Sequence, residues 1–167
     1  MFNDTRIIFG TLTFKNALDS AEKPAQNMIM ITGIAHLAVN AKDMKKSLDF
    51  YTRVLGFTKA FSLEHPQTGE PWIEYLQAGN QFIELFYNGT EDNVWRSSLR
   101  GFNHLCLQVD DIHSTVNMIE KSGYAMDRKV TEGRDKNLQA WLTDPDGIRI
   151  ELMQISPESP QGKCMGL

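Results

Sequence analysis

Cysteine is scarce. Two residues in 167, Cys106 and Cys164, cannot form the disulfide framework that staples small secreted domains. No N-terminal stretch reads as a secretory signal, so the expected compartment is a reducing cytoplasm. A basic excess is missing as well. Lys and Arg number 17 against 21 Asp and Glu, for a net charge of −4, and no basic stripe is present, so nucleic acid is not an expected partner. No apolar run approaches the roughly 20 residues that span a bilayer, which removes the membrane as an expected partner. Histidine is rare: His36, His65, His104 and His113 are all there are. What the chain does have is 41% hydrophobic residues, enough for the core of one domain or two small subdomains.

Two of the four histidines belong to an internal repeat. Gly33-Ile34-Ala35-His36-Leu37 is echoed 68 residues later by Gly101-Phe102-Asn103-His104-Leu105. A second echo, Ile83-Glu84-Leu85 and Ile150-Glu151-Leu152, recurs after 67 residues, each time behind a turn. The second turn, Asp144-Pro145-Asp146-Gly147, is strong turn chemistry, because proline presets φ and glycine permits a positive one. Two pairs of metal-competent side chains therefore repeat at nearly one period.

The chain divides accordingly. Residues 1–30 stand outside the repeat and are expected to be an extension: an added strand or helix, or an overlong start ahead of Met28 and Met30. Residues 31–87 form the first unit. A strand over 31–39 carries His36, a helix over 43–54 shows an apolar stripe of Met44, Leu48, Tyr51 and Leu55, Gly56 stops it, and strands follow over 57–63, 72–76 and 81–87. Residues 88–100 are a polar linker. Residues 101–155 repeat the order, with strands over 101–109, 124–130, 138–142 and 148–155 and a helix over 111–122. Residues 156–167, rich in proline and glycine, are expected to be loose. Each unit is βαβββ. The expected class is α+β, two tandem units forming a cupped, mostly antiparallel mixed sheet.

His36, Glu84, His104 and Glu151 offer two imidazoles and two carboxylates. That donor set suits zinc, nickel, cobalt, manganese or iron(II) without selecting one. Within a unit, the His and Glu can meet only if its first and last strands lie side by side. The competing reading is four polar residues kept by duplication for structure alone. His65, in a turn, and His113, on a helix, read as solvated. Cys106 shares the face of His104 and reads as a small buried residue lining the cavity rather than a reactive thiol. Phe82 and Phe86 flank Glu84, and Phe102 lies near His104, as walls of an apolar pocket. Arg149 shares the face of Glu151, placed to orient it, to contact an anionic substrate or to make a rim salt bridge.

Taken together, Gly33 to Val39, the segment Ser-Leu-Asp-Phe-Tyr-Thr-Arg-Val-Leu-Gly-Phe at 47–57, Phe-Ile-Glu-Leu-Phe-Tyr-Asn at 82–88, His104-Leu105 and Asp-Pro-Asp-Gly-Ile-Arg-Ile-Glu-Leu at 144–152 resemble the vicinal oxygen chelate superfamily, and within it bacterial glyoxalase I. The resemblance implies a divalent metal (nickel, cobalt, zinc or manganese) held by His36, Glu84, His104 and Glu151. It also implies a homodimer, and isomerisation of a 2-oxoaldehyde–thiol hemithioacetal to a 2-hydroxyacyl thioester, the route by which methylglyoxal is detoxified. Glu151 is the first choice of base, with Glu84 facing it. Asn88 falls on a thiol-contacting position of that family, and Phe82, Phe86, Phe102 and Arg149 are the other candidate substrate contacts. Where the family has an Arg four residues after the first His, this chain has Asn40. Weak turnover of the glutathione adduct is therefore expected unless another cation, such as Arg134 or Lys136, compensates. Epimerases, ring-cleaving dioxygenases and non-catalytic drug-binding resistance proteins of the same superfamily are the alternatives.

Overall fold

Both units begin their helices with a carboxylate cap. The Asp43 side chain accepts from the Lys46 N–H at 3.2 Å, and Asp111 from the Ser114 N–H at 3.0 Å, each satisfying an orphan donor of a first turn. In the computed structural model, which describes residues 31–98 and 100–167, these caps open α1 (Met44–Asp49) and α2 (Ile112–Lys121). The expected extension over 1–30 lies outside the described residues. Helix α1 continues into a π-helical turn, Phe50–Val54, in which the Leu55 N–H reaches back five residues to the Phe50 carbonyl at 3.0 Å. Phe50, Tyr51 and Val54 of this segment are all buried in the core. Gly56 and Gly123 end the two helical segments at φ 77° and 87°, a backbone that glycine adopts freely.

The strands are β1 (His36–Asn40), β2 (Thr58–Glu64), β3 (Pro71–Ala78), β4 (Gln81–Phe86), β5 (Leu105–Gln108), β6 (Arg128–Glu132), β7 (Leu138–Thr143) and β8 (Arg149–Gln154). They form two four-stranded sheets in the orders β1-β4-β3-β2 and β5-β8-β7-β6. In each sheet the first and last strands of a unit pair in parallel and the rest are antiparallel. Strands β1 and β5 each end their sheet, and no described pairing joins the sheets to each other.

Alternation along the central strands sorts the two faces. Ile83 and Leu85 on β4, with Ile150 and Leu152 on β8, pack beneath the helices in one hydrophobic cluster that also holds Tyr51, Phe50, Ile112, Ile119 and Leu142. Glu84 and Glu151 point the other way.

The Asp144-Pro145-Asp146-Gly147 turn is more than a strand lead-in, because the first unit grips it. The buried Tyr51 hydroxyl donates to Asp144 Oδ2 at 2.7 Å, the Ser47 hydroxyl to Asp146 Oδ2 at 2.5 Å and the Lys42 N–H to Asp146 Oδ1 at 2.8 Å. Asp144 Oδ1 closes the turn by accepting from the Asp146 and Ile148 N–H groups. Burial raises the Asp144 carboxyl above the usual carboxylate range and pushes the Tyr51 phenol well above its ordinary value.

The expectation that residues 156–167 are loose is corrected. Ser159 caps a short helix, α3 (Pro160–Met165), by accepting from the Gly162 N–H at 2.8 Å. The fully buried Asn137 ties the preceding chain down by accepting from the Ser156 N–H at 3.0 Å. At Gly162 a side chain would collide with the Ser156 carbonyl, so the glycine that reads as flexibility in sequence is here a close approach of backbone to backbone.

Candidate functional site

Parallel pairing of β1 with β4 sets Ala38 opposite Glu84 and His36 opposite Phe82, so His36 and Glu84 share one face on a diagonal. His36 Nδ1 lies 3.5 Å from Glu84 Oε1. The carboxylate is buried while the imidazole is about half exposed. Across the sheet Tyr75 pairs with Glu84. The neighbouring Glu84 carboxylate, more than burial, raises the Tyr75 phenol above its ordinary value. The Phe61 ring stacks on Tyr75 at 4.2 Å.

The second unit repeats the geometry with other neighbours. Cys106 pairs with Glu151 where Ala38 pairs with Glu84. His104, just ahead of β5, brings Nε2 to 3.0 Å from Glu151 Oε2. Its Nδ1 lies 2.8 Å from Asn103 Oδ1. An amide oxygen only accepts, so Nδ1 is the donor of that pair and Nε2 is the nitrogen turned to the carboxylate. Ligands about 2.1 Å from one ion lie about 3 Å apart at right angles, so each pair has the spacing of two ligands of a single metal. Among the described residues no three such groups converge. Each unit thus carries half of the expected set, and the chain does not bring the halves together.

Trp141 takes the position of Tyr75, paired with Glu151. Its indole donates to Gln139 Oε1 at 3.1 Å and its ring packs edge-on to His104 at 4.8 Å. Cys106 was expected to be buried, but the residue is exposed, with its thiol only partly covered. Partial burial, then the Glu151 carboxylate, push it up to about 12, so it stays neutral and unreactive. His65 was expected to be solvated. It is half-buried against Trp72, and its Nδ1 has no hydrogen-bond partner among the described residues. His113 is exposed, as expected.

The candidate substrate residues fall into two places. Phe82 lines an apolar groove of 800 Å³ with His36, Leu37, Leu105 and Cys106. Asn88, Phe102 and Arg149 line a more polar cleft of 710 Å³, together with Asn40, Lys42 and Trp95. Phe86 packs edge-on against Trp72 at 6.0 Å instead. Tyr75, Trp141, Asn103 and Trp95 were missed in the sequence. The signal for the first two was available, since each sits on the strand next to a Glu, but only once the register is known.

The profile of the Glyoxalase/Bleomycin resistance protein/Dioxygenase superfamily matches residues 33–152. The chain belongs to that superfamily. Among its relatives, a lactoylglutathione lyase of Pseudomonas putida is 30% identical over 73% of this chain and 84% of its own length. A lactoylglutathione lyase of Pseudomonas aeruginosa is also 30% identical, over 77% and 85%. Among solved structures, a glyoxalase family protein from Enterococcus faecalis superposes with a TM-score of 0.64 at 22% identity, covering 74% of this chain and 98% of that one. Lactoylglutathione lyase from Agrobacterium tumefaciens gives 0.55 at 19% identity, covering 74% and 94%. At these identities the structures establish that the superfamily fold is shared.

Proposed function

We propose that this chain is a metal-dependent, glyoxalase I-like lyase that isomerises a 2-oxoaldehyde–thiol hemithioacetal to a 2-hydroxyacyl thioester. The observation that carries the reading is the pair of half-sites. His36 with Glu84 and His104 with Glu151 occupy matched places in two copies of one unit, each at the spacing of two ligands of one ion. The two lactoylglutathione lyases among the relatives point the same way. A homodimer completes the site, the His36–Glu84 half of one chain meeting the His104–Glu151 half of another. Strands β1 and β5, each at the end of its sheet, are the edges at which the second copy would join.

A bound divalent metal (nickel, cobalt, zinc or manganese) supplies Lewis acidity to the two vicinal oxygens and stabilises the negative charge that develops on them. The protein's own work is proton transfer. Glu151 removes the proton from the carbon bearing the thiol, next to the carbonyl, and returns it to the adjacent carbon. Glu151 is the first choice of base, with Glu84 as the matching carboxylate of the other half. Phe82, with Leu37 and Leu105, provides an apolar wall that keeps water from the intermediate. The two free thiols, Cys106 and Cys164, suit a reducing compartment such as the cytoplasm.

Subunit complementation tests this. His36→Ala and His104→Ala each remove one half-site and are expected to bind no metal alone. Co-expressed, they form mixed dimers in which one of the two sites is intact, so about a quarter of all sites recover metal and methylglyoxal-dependent turnover. No recovery, with mixed dimers demonstrated by mass, overturns the shared site. Full metal occupancy without isomerase activity towards any thiol adduct overturns the reaction.

A further inference from the structure

Asn88-Gly89 is the one Asn-Gly dipeptide in the chain. Packing fixes its second residue. Gly89 lies against the chain leaving β1, where a Cβ would stand 2.8 Å from the Ala41 carbonyl carbon and 2.9 Å from the Asn40 and Ala41 carbonyl oxygens. Those are backbone atoms with no room to give, so glycine is required there. The first residue is left free. Asn88 is exposed where it lines the polar cleft, and its side-chain amide enters no hydrogen bond among the described residues.

That combination has a chemistry of its own. The amide carbon of an Asn side chain lies within reach of the next residue's backbone nitrogen, and the side chain of that next residue ordinarily crowds the approach. Glycine has none. Once deprotonated, the Gly89 nitrogen can attack Asn88 Cγ. The new N–C bond closes a five-membered succinimide, and the side-chain nitrogen leaves as ammonia. Water then opens the ring at either carbonyl, giving aspartate or isoaspartate, and a neutral side chain becomes an anion.

The corresponding Asp-Gly pair, Asp146-Gly147, shows what restraint looks like. Its carboxylate accepts from the Ser47 hydroxyl and the Lys42 N–H, and the Gly147 N–H donates to the Asp144 carbonyl at 3.1 Å. Both reacting groups are occupied. At Asn88 only the nitrogen is held, by the Gly89 N–H donating to the Ala41 carbonyl at 3.2 Å. Breaking that one contact frees the nitrogen, so the reaction waits on a local opening of residues 88–89 and not on global unfolding.

We propose that Asn88-Gly89 is a site of spontaneous deamidation, gated by the Gly89–Ala41 contact, that places a new carboxylate in the cleft as the protein ages. The proposal does not depend on the reaction proposed above. The cleft already sets Glu91, Asp92 and Asp146 against Lys42 and Arg149. Lys42 is paired with Asp92 at 2.6 Å, and Arg149 stacks on Trp95 at 3.9 Å and Trp141 at 4.7 Å. A fourth carboxylate makes the cleft more negative. Isoaspartate also adds a backbone carbon directly ahead of a glycine that has no space to shift.

The test uses the full chain, held folded at mildly alkaline pH, where more of the backbone nitrogen is deprotonated. Aliquots are digested in acid and their peptides read by mass, with isoaspartate labelled enzymatically. A gain of about 1 Da is expected on the peptide holding Asn88, with one ammonia released per modified chain, isoaspartate at residue 88 and none at Asp146. Asn88→Gln, whose longer side chain would have to close a six-membered ring, should stop it. The chain unfolded in denaturant should react roughly 10- to 100-fold faster than the folded one, because the Ala41 contact is gone. Equal rates in the two states overturn the gate, and a folded chain that gains no mass while the unfolded one reacts overturns the site. Modification of Asp146 ahead of Asn88 overturns the proposal as well.

Discussion

The two units share one backbone plan and one His–Glu pair, yet their walls differ at nearly every matched position. Paired with Glu84 are Ala38 and Tyr75, with Phe82 two residues before it on the same strand face; paired with Glu151 are Cys106 and Trp141, with Arg149 two residues before it. The first half is aromatic and apolar and sets a phenol, Tyr75, across from its carboxylate. The second offers a cation and indoles and leaves its carboxylate with the imidazole at 3.0 Å and a neutral thiol. Duplication explains the likeness. The divergence gives the two matched carboxylates different surroundings, which is what the proposed division of labour between Glu84 and Glu151 requires.

The largest effect should come from exchanging those two roles. Glu151→Gln is expected to lower kcat by about 10²- to 10⁴-fold at saturating metal, the usual worth of a positioned base. Glu84→Gln should act first on metal occupancy and recover much of its kcat when metal is added in excess. Equal losses in both, with equal metal dependence, would erase the asymmetry.

Next in size are the residues behind the carboxylates. Tyr75→Phe removes the hydroxyl beside Glu84 and should cost about 10- to 100-fold in metal affinity, as partners of metal ligands commonly do. Trp141→Phe keeps an edge against His104 and should cost less. The comparison is read by competition with a chelating dye. A larger loss from Trp141→Phe would mean that indole packing, and not the phenol, sets the site.

Contacts between the halves are expected to matter for stability and not for chemistry. Tyr51→Phe removes a buried hydrogen bond to Asp144 and should cost about 1.5–3 kcal/mol in denaturant unfolding. Disrupting the exposed Arg53–Asp49 pair on the helix surface should cost under about 1 kcal/mol. Similar losses from both would show that the Tyr51–Asp144 contact does not join the units.

Much of this was legible in the chain because it repeats. The helix caps Asp43 and Asp111 stand 68 residues apart, the same step as His36 and His104, and strand alternation placed each Glu away from the core. What could not be read was whatever depends on register or on distant chain. Tyr75 and Trp141 reach the carboxylates across a strand. Trp95 reaches Arg149 from a segment with no periodicity. Helix α3 is held by Asn137, far from it in sequence, and its glycine gave the opposite signal. The sequence leaves open whether the two His–Glu pairs meet within one chain or between two. A repeat shows that two pairs are equivalent, but which chain each pair faces depends on how the linker runs, and composition does not encode that.

The smallest effect concerns a matched position on the helix side of the sheets, where the first half has Glu74, opposite Leu85, and the second has Ala140, opposite Leu152. Glu74 is buried, and burial alone would raise its carboxyl. Lys59 at 2.8 Å, Ser62 at 2.5 Å and Tyr87 at 2.8 Å outweigh that and hold it below the usual carboxylate range. A carboxyl with a folded pKa below its unfolded value, about 4.3 for Glu, stabilises the fold above that value, and the contribution is lost as pH falls through the folded pKa. The first half therefore carries an acid-sensitive joint that Ala140 cannot supply in the second. Glu74→Gln keeps the size of the side chain and removes the charge, so wild type should be the more stable near neutrality and the difference should shrink as pH falls below about 4.3. Unfolding midpoints across that range provide the measurement. A stability difference that stays constant from neutrality into acid would show that Glu74 acts through packing, and that the two halves do not differ in their response to pH at this position.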